Sequence, residues 1–147
     1  MYKHILVAVD GTKLSLKALD EGGALAKTLG TKLTAVTVSP VYPMLIGGDG
    51  FVLDLNSPSE WETATARHAQ RIRQQVEKRA AAKGYFAEFV AVTEDGPYLG
   101  IIETARKKKC DLIVMASHGR RGIAGVLLGS ETTKVLAHSK TPVLVCR

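Results

Sequence analysis

Neither of the two commonest phosphate-binding motifs occurs in this chain. No Gly-x-x-x-x-Gly-Lys-Ser/Thr appears anywhere, and the turn behind the first apolar run reads Val9-Asp10-Gly11-Thr12, which leaves no room for Gly-x-Gly-x-x-Gly. Long apolar runs are missing too. The stretch from Lys3 to Val9 is too short for a secretion signal or a membrane span, so a cytoplasmic protein without a membrane partner is expected. Aromatic residues make up only 5% and none interleaves with the basic run Arg106-Lys107-Lys108-Lys109. That run reads as a solvated helix end, where cations meet the negative end of the helix dipole, and not as a nucleic-acid patch, despite a net charge of +6. The four histidines, His4, His68, His118 and His138, are scattered, and neither cysteine has a Cys or His partner at ligand spacing, which argues against a metal site. No repeat with a period of 20 to 50 residues is present, and a solenoid is excluded.

The composition that remains, 46% hydrophobic and 23% charged over 147 residues, is that of one globular domain. Five apolar, β-branched runs at residues 4–9, 32–38, 86–92, 111–116 and 142–146 alternate with helical patterns near 14–29, 59–83, 97–109 and 130–139. This is the rhythm of an α/β fold, an open five-stranded parallel sheet with helices on both faces. Gly30 and Gly84 stand where the first two helices stop, Ser59 with Glu62 suggests a capping box, and Pro97 suits the first turn of the third helix. Residues 39–58 hold Pro40, Pro43, Gly47, Gly48, Gly50 and Pro58 without a sustained period and read as a long mobile loop. Cys110 enters the fourth strand and Cys146 leaves the fifth; at about 3.3 Å per residue they stand about 15 Å apart, too far for a disulfide.

The most informative segment follows the fourth strand: Met115-Ala-Ser-His-Gly119-Arg-Arg-Gly-Ile-Ala-Gly-Val-Leu-Leu-Gly129-Ser130. A glycine-punctuated loop leading into a helix can turn backbone N–H groups toward an anion, and the helix N-terminus adds a positive dipole end. Ala116, Gly119 three residues on, nine intervening residues and then Gly129-Ser130 resemble the nucleotide signature of the universal stress protein family, Gly-two residues-Gly-nine residues-Gly-Ser/Thr. The first position departs from it, with Ala116 for Gly. The resemblance covers nearly the whole chain. It implies a Rossmann-like fold akin to the adenine nucleotide alpha hydrolases, with strands in the order third, second, first, fourth, fifth, and so a ligand crevice where the order reverses, between the first and fourth strands.

Carried over residue by residue, the resemblance gives Asp10 a nucleotide contact, assigns backbone contacts with adenine to Thr37 and Val38, and makes Ala8, Met115 and Ala116 part of the lining. It sets Gly119, Arg120, Gly129, Ser130, Glu131 and Thr132 against the phosphates. From local sequence alone Asp10 is equally a cap or turn former beside Gly11. Ser130 is a natural N-cap with or without phosphate. Gly122 and Gly125 read as close-packing glycines and Arg121 as a solubilising charge. Ser117 and His118, neighbours on an extended loop, should point apart and make no nucleophile–base pair.

The resemblance further implies an ATP-binding homodimer paired through the last strand, Pro142 to Cys146, acting as a regulator or sensor in the stress response and not as an enzyme. Magnesium would come only with the phosphates. AMP and cyclic AMP are alternative ligands. Two other readings compete: a stress protein that works by protein contacts without nucleotide, which Ala116 keeps open, and an adenylating or nucleotide-hydrolysing enzyme of the same fold. The relatives that form a PP-loop carry Ser-Gly-Gly-x-Asp-Ser after the first strand, where this chain has Asp10-Gly11-Thr12-Lys13.

Overall fold

A computed structural model describes residues 1–42, 45–46, 52–53, 57–118 and 128–147. Five strands form one parallel sheet: β1 (His4–Ala8), β2 (Lys32–Ser39), β5 (Glu88–Thr93), β6 (Leu112–Ala116) and β7 (Val143–Cys146). Their spatial order, β5-β2-β1-β6-β7, is the third-second-first-fourth-fifth arrangement that the resemblance implied. The helices are α1 (Lys13–Leu29), α2 (Pro58–Lys83), α3 (Pro97–Lys108) and α4 (Ser130–His138).

Alternation along the strands divides the core in two, because successive side chains leave opposite faces of the sheet. Ile5, Val7, Leu33, Ala35 and Val114 pack with Ala18 and Leu19 of α1 and with Ile72 and Val76 of α2. Leu6, Val36, Ile113 and Met115 meet Ile101 and Ala105 of α3 and Val135 of α4 on the other face. Two glycines set the layer spacing. A Cβ on Gly22 of α1 would stand 2.5 Å from Val7 Cγ2, and one on Gly100 of α3 would stand 2.7 Å from both Val38 methyl groups.

Chain punctuation follows the expected chemistry with one shift of register. Gly30 and Gly84 close α1 and α2 in the left-handed conformation, and Pro97 opens α3 after Gly96. The capping box of α2 is not Ser59 with Glu62, as the sequence suggested, but Ser57 with Glu60, two residues earlier. Pro58 decides between these overlapping patterns: its fixed φ and missing N–H suit the first helical position, which makes Ser57 the cap. The segment expected to be a long loop over 39–58 is also more structured than its composition suggested. Ser39 completes β2, Pro58 already belongs to α2, and β3 (Leu45–Ile46) pairs antiparallel with β4 (Val52–Leu53). Pro43, Gly47, Gly48 and Gly50 lie outside the described residues.

Both cysteines are free thiols, Cys110 just ahead of β6 and Cys146 at the end of β7. Burial, helped by Asp111 and Glu88, pushes the Cys110 thiol up to about 11. No helix among the described residues is long and apolar enough to cross a membrane.

Candidate functional site

The order reverses at β1, which pairs with β2 on one side and with β6 on the other, so the C-terminal ends of β1 and β6 flank the switch point of the sheet. Ala8 stands level with Val36, and Val7 with Val114, which brings Asp10, Thr37, Val38 and Ala116 to the same end of the sheet. Val9 continues the ladder by donating to Val36 O at 2.9 Å, and the chain then turns through Gly11, whose φ of +82° is a left-handed conformation.

Asp10 builds that turn. Its Oδ1 accepts from Thr12 N at 3.0 Å and from Thr12 Oγ1 at 2.6 Å, while Thr12 caps α1 by accepting from Ser15 N. The cap of α1 is therefore Thr12, and Asp10 orients it. The turn uses one carboxylate oxygen only; Oδ2 has no partner among the described residues. Asp10 thus combines the turn-forming reading with an oxygen left over for a ligand.

Across the switch point, Gly129 N donates to Ser117 O at 2.6 Å and Thr132 Oγ1 donates to Ala116 O and Ser117 O at 3.0 and 3.2 Å. These bonds dock the first turn of α4 on the end of β6. Ser130 was expected to cap α4, but the cap is Gly129, which has no side chain to offer, and Ser130 is the first helical residue. The difference has a direct consequence. The first helical bond runs from Thr133 N to Gly129 O, so the N–H groups of Ser130, Glu131 and Thr132 have no helical acceptor, and Gly129 offers them no side-chain cap among the described residues. Three such donors at the positive end of a helix dipole are of the chemistry that suits an anion.

The remaining candidates have different surroundings. Met115 is buried on the α3–α4 face, and Thr37 is buried in β2. Val38 lies under Gly100, and Ala8 packs at the edge of the same cluster. Glu131 sends its side chain to α3: Oε2 accepts from Tyr98 N at 2.9 Å and Oε1 pairs with Lys134 at 3.0 Å. Because Gly96 cannot cap α3 with a side chain, the carboxylate of Glu131 does so from the neighbouring helix. No local pattern in the sequence signals that contact. Gly119 and Arg120, together with Arg121, Gly122 and Gly125, lie outside the described residues. Ser117 and His118 do not point apart as expected: Ser117 Oγ and His118 Nδ1 are 3.1 Å apart, because the chain bends at Ser117 as it leaves β6.

Fold and candidate site together define a Rossmann-like α/β protein in which a carboxylate follows β1 and a helix N-terminus without a side-chain cap follows β6, the two strands that flank the switch point of the sheet. Comparison with known proteins gives that class a family. The model of the universal stress protein family matches residues 1–147. The chain is 31% identical to a universal stress protein of Methanocaldococcus jannaschii, covering 100% of this chain and 83% of that one. It is 30% identical to the universal stress protein YxiE of Bacillus subtilis, with 100% of both chains covered. A solved universal stress protein in complex with cAMP superposes with a TM-score of 0.73 at 30% identity, covering 99% of this chain and 97% of that one. The chain belongs to the universal stress protein family.

Proposed function

We propose that residues 1–147 act as one universal stress protein domain that holds an adenine nucleotide, ATP with any magnesium carried on its phosphates, in the crevice between the ends of β1 and β6. The observation that carries this reading is the presence, at the C-terminal ends of β1 and β6, of Asp10 Oδ2 and of the N–H groups of Ser130, Glu131 and Thr132, none with a partner among the described residues. The carboxylate suits a ribose hydroxyl or a metal-bound water, and the N–H groups suit the phosphates. Small residues at Ala8, Ala116 and Gly129 leave room for backbone approach. Thr37 and Val38 supply backbone atoms toward the base, with Met115 beside it, and Gly119 and Arg120 complete the phosphate side.

The bound nucleotide serves as a signal or structural ligand of a cytoplasmic, homodimeric regulator in the stress response. Rapid phosphoryl transfer needs a positioned base or water and neutralisation of the γ-phosphate. The sequence supplies Arg120 for charge but no P-loop lysine, and Asp10 is engaged in a turn. ATP turnover of the purified protein is therefore expected well below about 1 per second. A rate at or above that, lost in Asp10→Ala, would identify an enzyme instead.

Cyclic AMP is the second ligand to test, because a solved protein 30% identical to this chain was obtained in complex with it. Mass spectrometry of the purified protein after denaturation should release ATP, AMP or cyclic AMP, and calorimetry with each nucleotide should rank them. Gly129→Val is expected to abolish binding while preserving the fold, and Asp10→Ala to weaken it by roughly 1–3 kcal/mol. Unchanged affinity in Gly129→Val would remove the phosphate assignment.

A further inference from the structure

The pole of the molecule opposite the crevice carries a concentration of lysine side chains. In a parallel α/β fold, every helix C-terminus and every strand N-terminus reaches the same end. Cations in a last helical turn have a local reason to be there, since they counter the dipole. Here Lys27 ends α1, Lys109 closes α3 and Lys140 follows α4. Lys3 and Lys32 join them at the entrances of β1 and β2. All five ammonium groups belong to exposed residues and form no ion pair among the described residues.

The carboxylates at this pole, fewer than the cations, are held by other groups. Glu88 is paired with Lys108, and Glu103 with Arg106 and Lys107. Asp111 is held by the backbone N–H groups of Lys3 and His4, at 2.8 Å and 3.0 Å. Within this field stands Phe86, 84% exposed, two residues ahead of Glu88. Glu88 is level with Thr34, so Phe86 continues the register to the height of Lys32. Lys27 Nζ lies 3.3 Å from where a Cβ of Gly84 would stand, on the same approach to β5.

We infer that this pole docks on an anionic lipid bilayer, with lysines 3, 27, 32, 109 and 140 over the headgroups and Phe86 entering the interface. A nucleic acid fits the same residues less well. Its phosphates favour the planar fork of arginine, and its bases need aromatic platforms. The arginine at this pole, Arg106, is held by both Nε and Nη2 on Glu103, and Phe86 is the exposed aromatic residue there. Strongly hydrated lysine point charges beside one exposed ring match the diffuse charge and apolar boundary of a membrane surface.

The test is co-sedimentation of the full chain with vesicles of phosphatidylcholine alone or of equal parts phosphatidylcholine and phosphatidylglycerol. Binding to the anionic vesicles only, weakened by raised salt, is the expected result. Each lysine removed should cost about fivefold in partitioning, so Lys3→Gln with Lys32→Gln should lower it roughly 25-fold. Phe86→Ser should reduce the part that survives raised salt. These side chains are exposed, so circular dichroism should show folded variants. Three outcomes overturn the proposal: no sedimentation with anionic vesicles at low salt, variants that bind like the parent, or an RNA oligonucleotide that strips the protein from vesicles at equal phosphate concentration, which would assign the pole to nucleic acid.

Discussion

Asp20 illustrates how one half-buried charge joins two helices. It projects from α1 and is gripped by α2: Arg79 Nε reaches Oδ1 at 2.8 Å, Nη2 reaches Oδ2 at 2.8 Å, and Lys83 stands 3.1 Å away. Burial alone would raise its pKa, but the hydrogen bonds and charges of Arg79 and Lys83 outweigh that and hold it below the ordinary 3.8. The same carboxylate acts on Tyr85, whose hydroxyl is pushed up to about 12 by burial first and by Asp20 second. A carboxyl with a depressed folded pKa stabilises the protein above its unfolded value, and the gain disappears as pH falls through the folded one. Asp20→Asn should therefore cost roughly 1–2 kcal/mol at neutral pH, the range for a charge-assisted bond with partly exposed partners. Urea unfolding at pH 7 and pH 3 checks this: the gap between parent and variant should narrow at the lower pH, and a constant gap would mean that packing, not charge, sets Asp20's contribution.

At the scale of elements, the helices lie where small residues let them. Gly22 brings α1 onto Val7, and a β-branched side chain there meets the floor of a packed core. Gly22→Val is expected to destabilise by about 1–3 kcal/mol, the usual cost of overpacking, and thermal unfolding should show a lower Tm with the helical signal of the folded state intact. An unchanged Tm would show that the interface between α1 and β1 can give way. Most element positions were legible in the sequence because β-branched runs, glycine stops and the first-turn proline at 97 are local signals. What was not legible depends on neighbours distant in sequence. The choice of Ser57 over Ser59 could have been read from Pro58, but the capping of α3 by Glu131 arises only when α4 is already docked. Likewise Gly129, rather than Ser130, became the cap because Gly129 N is tied to Ser117 O, which fixes where the helix begins. The candidate site was legible only as a loop spacing and a carboxylate; the opening of three N–H groups at α4 came from that register. The charged pole was invisible as well, since the sequence displays Arg106 to Lys109 as one helix end and scatters Lys3, Lys27, Lys32 and Lys140 far from it.

At the scale of the whole molecule, the two edges of the sheet differ in how they are guarded. β5 begins with Glu88 in an ion pair with Lys108, and Arg73 of α2 lies over Phe89 at 5.9 Å, so charge borders that edge. β7, the opposite edge, reads Val143-Leu-Val-Cys146 with no charge at all, and Leu144 is 43% exposed. An apolar edge with unpaired backbone groups invites another strand, and proteins that remain single usually place a charge or proline within such an edge. Pro142 stands only at its entrance, where its carbonyl already accepts from Ile113 N. Pairing of β7 with its copy across a two-fold axis would satisfy the edge and cover Leu144 in one contact. Val145→Lys sets a charge in the middle of that strand while leaving its parallel pairing with Met115 on the inner side. Light scattering at micromolar concentration should then give a dimer for the parent chain and a monomer for Val145→Lys, whereas a monomeric parent would mean that β7 is closed off without a second copy.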